Sequence, residues 1–219
     1  MERIRRIELP GGASVSAIET VPRSTHTGWL LAYAPGAGSN VHDPFGAYAC
    51  RELAGRGLAA LRFQFPYMEA GRRAPDRTAV LEATWLAVIE AAQAARGRLV
   101  VGGRSMGGRI ASQVVARGAR VDALALFAYP LHPPGRPELR RDEHLAAINA
   151  PTLFCSGTRD AFASPEELRA AAGNVPQAHV HLLADADHGF SVPKSSGRSR
   201  QDVWAEAVQA LVDWLRPDR

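Results

Sequence analysis

Lysine is almost missing from this chain of 219 residues: Lys194 is the only one, so a formal net charge of +4 is carried by arginine. The arginines are interleaved with acids along the chain instead of forming a basic stripe, and no nucleic-acid-binding module is legible. Binding to nucleic acid is therefore not expected. Cysteine is nearly absent as well. Cys50 and Cys155 have no spacing that favours a disulfide framework or a metal pair, and both read as buried free thiols suited to a reducing compartment. No apolar run reaches the ~18 residues of a membrane span. The opening "MERIRRIELPGG" lacks the apolar core of a secretory leader, which makes the cytoplasm the expected location. Internal repeats, low-complexity tracts and metal-ligand spacings such as H-E-x-x-H are also missing. What is abundant is apolar residues, 46% of the chain, enough for one domain over residues 1–219 with a sizeable core.

Short apolar runs alternate with helical patterns, which reads as βαβ units around a mostly parallel sheet. The start differs. "RIRRIEL" and "VSAIETV" flank the turn signal "PGG" and predict an antiparallel hairpin. "GWLLAYAPGAGSN" is a buried strand running into a glycine loop, and "LAALRFQF", "RLVVGG", "DALALFAYP", "PTLFCSG" and "AHVHLLA" are further strands. Helices are expected over 45–56, ending near Gly57, over 77–96 with Asp76 as its cap, over 106–117, around 142–149, over 165–173 and over 201–215. Ser164 and Pro165 stand where an N-cap and a first helical residue belong.

The stretch "VVGGRSMGGRIAS" (100–112) is the most informative. Four glycines in seven residues follow a strand and open a helix, although glycine inside either element costs ~0.5–1 kcal/mol relative to alanine. Gly103, Arg104, Ser105, Met106 and Gly107 spell G-x-S-x-G in the context of a nucleophile elbow. The sharp turn thrusts the serine hydroxyl above the sheet, and the residues two positions away must be small. The amide of Met106, at a helix N-terminus, is a candidate oxyanion donor.

A serine hydroxyl needs a base, and the base needs an orienting group. Of seven histidines, His188 in "LLADADHGFS" falls after the last strand, where the chain order Ser, acid, His would place it. The acid should follow "PTLFCSG", and Asp160 in "GTRDAFAS" does. Asp185 and Asp187 are rivals by nearness to His188, but neighbours on a tight loop point apart. The second oxyanion donor is expected from "APGAGSN", at the amide of Ala37 between Gly36 and Gly38.

With "PGAGSN", "GGRSMGGR", "GTRDAF" and "ADHGF" in hand, the chain resembles the α/β-hydrolase superfamily over essentially its whole length. More narrowly, "FQFPYMEAGRRAPDR", "LHPPGRPELR" and "DHGFSVPK" resemble a small bacterial branch near the dienelactone hydrolases. That branch also resembles a testis-expressed eukaryotic protein and a subunit of a histone-acetylation complex. The resemblance implies an eight-stranded, mostly parallel sheet with helices on both faces. It implies Ser105 as nucleophile, Asp160 as acid and His188 as base. Two departures stand out. Relatives commonly carry His-Gly before the oxyanion loop, where this chain has Pro35 before Gly36. Dienelactone hydrolases use cysteine as nucleophile, where this chain has Ser105, so their substrate does not carry over.

The expected function is a serine hydrolase, carboxylesterase-like, acting on a small-molecule ester with no metal or organic cofactor. The connection "LHPPGRPELRRDEHLAAINA" is too short for a lid domain, which favours small or short-chain substrates. Arg72, Arg73 and Arg104 are candidates to meet an anionic substrate group, or they tie loops to acids such as Glu69 and Asp76. A non-catalytic interaction module of the same shape, and a thioesterase or peptidase using the same triad, are the alternatives.

Overall fold

The computed structural model describes residues 1–23, 26–94 and 97–216. Eight strands form one sheet: β1 (Glu2–Glu8), β2 (Ser14–Thr20), β3 (Trp29–Ala34), β4 (Ala59–Phe63), β5 (Arg98–Arg104), β6 (Ala123–Phe127), β7 (Thr152–Gly157) and β8 (Ala178–Leu183). Their spatial order is β1-β2-β4-β3-β5-β6-β7-β8. The hairpin β1–β2 and the β2–β4 pair are antiparallel; every other neighbouring pair is parallel. Six helices accompany the sheet: α1 (Pro44–Gly55), α2 (Pro66–Glu69), α3 (Thr78–Gln93), α4 (Met106–Ala116), α5 (Pro165–Ala172) and α6 (Arg200–Trp214).

The two-residue period of the strands divides the core. On β3, Leu31 and Tyr33 join one apolar cluster with Phe45 and Leu53 of α1 and Val203 and Leu211 of α6. Ala32 and Ala34 face the opposite cluster with Trp85 of α3, Ile110 of α4 and Leu168 of α5. Helices therefore cover both faces, and the central strands, buried on both sides, have to be near-continuously apolar. Both cysteines are free and buried. Burial pushes Cys50 up to about 12 and Cys155 higher still, which keeps both as inert thiols.

Most element expectations match, with instructive differences. Ser164 and Glu167 form a reciprocal capping box on α5, with Pro165 in its first turn. Asp76, expected to cap the long helix, does not: Arg77 is the N-cap residue and offers no side-chain cap. The Asp76 carboxylate instead accepts the Tyr67 amide at 2.8 Å and pairs with Arg72 at 2.5 Å. It fastens the start of α2, a single turn that the apolar period was too short to announce. The expected 77–96 helix ends at Gln93, and its last two positions, 95–96, lie outside the described residues. The 142–149 helix is a 3-10 turn over Glu143–Ala147, the only helical piece between β6 and β7. No lid domain occupies that connection. Among the described residues no helix is long and apolar enough to cross a membrane.

His144, in that 3-10 turn, is bonded through Nε2 to Ser112 Oγ at 2.7 Å. Burial first, and the nearby Arg109 charge second, lower its pKa to about 4. The unfolded chain therefore binds the proton first as pH falls. The stabilisation is complete above about pH 6.5 and is lost progressively toward about pH 4. After discounting for solvent screening at a partly buried ring, the loss should be on the order of 1–2 kcal/mol. Urea midpoints at pH 7 and pH 4.5 should separate less in His144→Gln than in the wild type.

Candidate active site

The sheet order reverses at β3: the chain steps to β4 on one side and later returns to β5 on the other. Loops leaving the C-terminal ends of β3 and β5 thus diverge to open a crevice, the usual ligand position in open α/β sheets. Ser105 stands at the end of β5 with φ 50° and ψ −119°, a strained conformation that costs ~1–3 kcal/mol and persists only where the surroundings enforce it. Here they do. The Ser105 amide donates to Phe127 O on β6 at 2.8 Å, and the Arg109 amide donates to Ser105 O at 3.0 Å. A Cβ on Gly103 would lie 2.0 Å from Ala34 O, and one on Gly107 would lie 2.3 Å from the same oxygen. The glycines answer a packing demand: β5 and α4 press directly on the backbone leaving β3.

His188 Nε2 lies 2.9 Å from Ser105 Oγ, across 83 residues of sequence. Its Nδ1 is 2.9 Å from both carboxylate oxygens of Asp160. A carboxylate only accepts, so Nδ1 carries the proton and Nε2 is left to accept from the serine hydroxyl. The Asp160 side chain is fully buried and also takes the Phe162 amide at 2.8 Å. Phe162 stacks on the imidazole with ring centroids 3.9 Å apart, which fixes the ring plane as the carboxylate fixes its rotation.

The rival acids have other duties. Asp187 Oδ1 accepts the amides of Gly189 and Ser191, each at 2.8 Å, and shapes the loop that presents His188. Asp185, at φ 61°, donates its amide to Thr158 Oγ1 at 2.8 Å and turns the chain out of β8. Other histidines are tied elsewhere: His132 to Glu167, and His181 to Glu206.

Both residues expected to supply oxyanion donors share a cleft with Ser105. Ala37 and Met106 both line the cleft, and neither amide donates to another protein group among the described residues. Their neighbours are firmly held. The Gly38 amide donates to Tyr67 Oη at 3.0 Å, and Ser39 N to Gly36 O at 3.1 Å. An amide donor does not depend on the side chain before it, so Pro35 in place of histidine leaves the Ala37 amide a candidate donor.

The cleft, about 410 Å³, is also lined by Arg104, Arg109, Pro130, Arg141 and Phe162. Of the three arginines expected near a substrate, only Arg104 is here. Arg72 pairs with Asp76 away from the cleft, and Arg73 does not line it either. Arg109 and Arg141 were missed in sequence. Arg109 had a signal, standing one helical turn after Ser105; Arg141 lies in an irregular connection and had none. Phe162 had a weak one, two residues past Asp160. No group of three or more His, Cys, Asp or Glu side chains is placed to hold a metal ion among the described residues.

Known structures share this architecture. An α/β serine hydrolase homologue from Coxiella burnetii superimposes with a TM-score of 0.76 at 18% identity, covering 95% of this chain and 97% of the other. A serine hydrolase without a lid from Xanthomonas campestris gives 0.75 at 18% identity, covering 97% and 94%. A dienelactone hydrolase from Anabaena variabilis gives 0.72 at 17% identity, covering 95% of each. At these identities the likeness is one of fold. The likeness to the testis-expressed and histone-acetylation-complex relatives rests on sequence motifs alone. Residues 27–216 match the family described as an alpha/beta hydrolase domain, and with that match over most of its length the chain belongs to the α/β hydrolases.

Proposed function

We propose that this hydrolase is a carboxylesterase-like serine enzyme that cleaves a small or short-chain ester through an acyl-enzyme on Ser105. One observation carries the reading: the unbroken line of 2.9 Å contacts from Asp160 through His188 to Ser105 Oγ. In the first step His188 Nε2 takes the hydroxyl proton as Ser105 Oγ attacks the ester carbonyl. The imidazolium that forms sits against the buried Asp160 carboxylate, which stabilises it without being protonated. The carbonyl oxygen becomes an oxyanion, held by the amides of Ala37 and Met106. A donor of this kind is worth ~10²–10³ in rate, because it is aimed where charge develops and needs no reorganisation. His188 then gives its proton to the leaving alkoxide. In the second half it removes a proton from water, which attacks the acyl-enzyme and restores Ser105.

The open cleft and the absence of a lid support small substrates. One domain over residues 1–219 and a cytoplasmic location belong to the same proposal, supported by the single sheet that all eight strands share and by the two free thiols. The decisive measurement is labelling with a fluorophosphonate probe. The wild type should be labelled and Ser105→Ala should not. Equal labelling of both would remove Ser105 as nucleophile, and a folded wild type that takes no label would leave a non-catalytic module.

A further inference from the structure

We propose that the substrate carries an anionic group, a carboxylate or a phosphate, beside its scissile bond, and that Arg104, Arg109 and Arg141 hold that group in the Ser105 cleft. The proposal deepens the hydrolase reading and rests on it for the word substrate; the anion site itself stands on separate observations. All three arginines line the same cleft as Ser105 and His188. Several arginines outside the cleft pair with carboxylates, among them Arg62 with Glu2, Arg72 with Asp76 and Arg117 with Glu82. The three in the cleft have no such close partner. Among the described residues Arg109 and Arg141 enter no salt bridge, and Arg104 reaches only Asp43, at 4.0 Å. The Nε atoms of Arg104 and Arg109 are buried without a hydrogen-bond partner, which a guanidinium with five donors rarely tolerates.

The nearby carboxylates are already committed. Asp43 accepts the Tyr33 hydroxyl at 2.7 Å, the Gly46 amide at 2.8 Å and the Ser39 hydroxyl at 3.3 Å. Asp160 is held by His188 and the Phe162 amide. The cleft is therefore positive in excess, with low-dielectric walls that focus its field on an incoming ligand. Burial lowers the pKa of Arg109, with the adjacent Arg141 charge acting in the same direction, while Tyr129 and Glu82 act against it. An oxyanion between the two guanidiniums would relieve both costs, since their planar forks match carboxylate and phosphate oxygens.

The backbone that carries two of these side chains is tied together. Ser112 Oγ donates to Arg109 O at 2.7 Å, and the Tyr129 hydroxyl donates to Arg141 O at 3.1 Å. His144 Nε2 joins Ser112 to this network, linking the helix of one arginine to the loop of the other.

Two measurements separate this proposal from the hydrolase reading. The first compares 4-nitrophenyl hydrogen glutarate with 4-nitrophenyl butyrate. The wild type should favour the anionic ester by about tenfold or more in kcat/KM, and Arg109→Gln and Arg141→Gln should each reduce that ratio by about tenfold. The second needs no chemistry. Glutarate and inorganic phosphate are titrated calorimetrically into Ser105→Ala protein, where at least one should bind saturably and weaken about tenfold on adding Arg109→Gln or Arg141→Gln. Tighter glutarate indicates a carboxylate ligand, and tighter phosphate a phosphate. Arginine-dependent binding in a protein that hydrolyses no ester and takes no fluorophosphonate would keep the anion site and discard the esterase. The proposal is overturned if neither anion binds saturably up to about 10 mM, or if the ester ratio is the same in the wild type and both variants.

Discussion

Ser105→Ala should lower kcat on a short-chain 4-nitrophenyl ester by about 10⁶-fold, and Asp160→Asn by about 10⁴-fold. The difference follows from what each atom does. In the proposed mechanism Ser105 Oγ forms the covalent bond, so removing it leaves only water, the proposed oxyanion donors and binding. Asp160 never touches the substrate. It accepts from His188 Nδ1, and an asparagine there can offer its amide instead, placing the imidazole in the tautomer whose Nε2 is already protonated and cannot act as base. The three groups work as a unit, so Ser105→Ala combined with His188→Ala should be no slower than Ser105→Ala alone. Steady-state kinetics of the three variants, with circular dichroism to confirm folding, makes the check. A multiplicative loss in the double variant would mean that the two groups act independently, and the proposed relay would be wrong.

Gly103→Ala should cost about 4 kcal/mol or more and leave much of the protein unfolded on expression. The new methyl would meet Ala34 O at 2.0 Å and Ala34 C at 2.9 Å. These are backbone atoms of β3 paired in register with β5, so neither side can retreat without breaking the centre of the sheet. A φ of 150° adds strain at any residue with a side chain. Gly118→Ala is the control. It shares a positive φ, 98°, but a Cβ there meets nothing within 4 Å, and only ~1–2 kcal/mol of backbone strain is expected. For a chain of this size each kcal/mol lowers Tm by ~2–4 °C, so thermal melts should place Gly103→Ala, where soluble, ~10 °C below the wild type and well below the control. Similar melting of both would show that backbone conformation, not the press of β5 against β3, demands glycine at the elbow.

Much of the site could be read from the chain because its parts are local patterns. The strand before Ser105 and the helix after it have different apolar periods, and the glycines between them mark a turn that only small residues fit. Asp160 and His188 each follow a strand at a position dictated by chain order. Other features were not legible because they depend on partners far away in sequence. Asp76 stands where a helix cap belongs, yet α2 lies close enough to claim its carboxylate for the Tyr67 amide and Arg72. Arg72, Arg73 and Arg104 look alike as arginines near strand ends; only packing shows that an acid is at hand for the first and that the third faces the cleft.

Side-chain periodicity and turn chemistry, acting over a few residues, marked in the sequence the βαβ order, the elbow and the candidate serine, acid and histidine. The tertiary structure alone decided which charges remain uncompensated. Whether a guanidinium is neutralised depends on a carboxylate arriving within ~4 Å, and that distance is set by how the sheet and its connections pack. The meeting of Arg104, Arg109 and Arg141 beside Ser105 is a product of that packing.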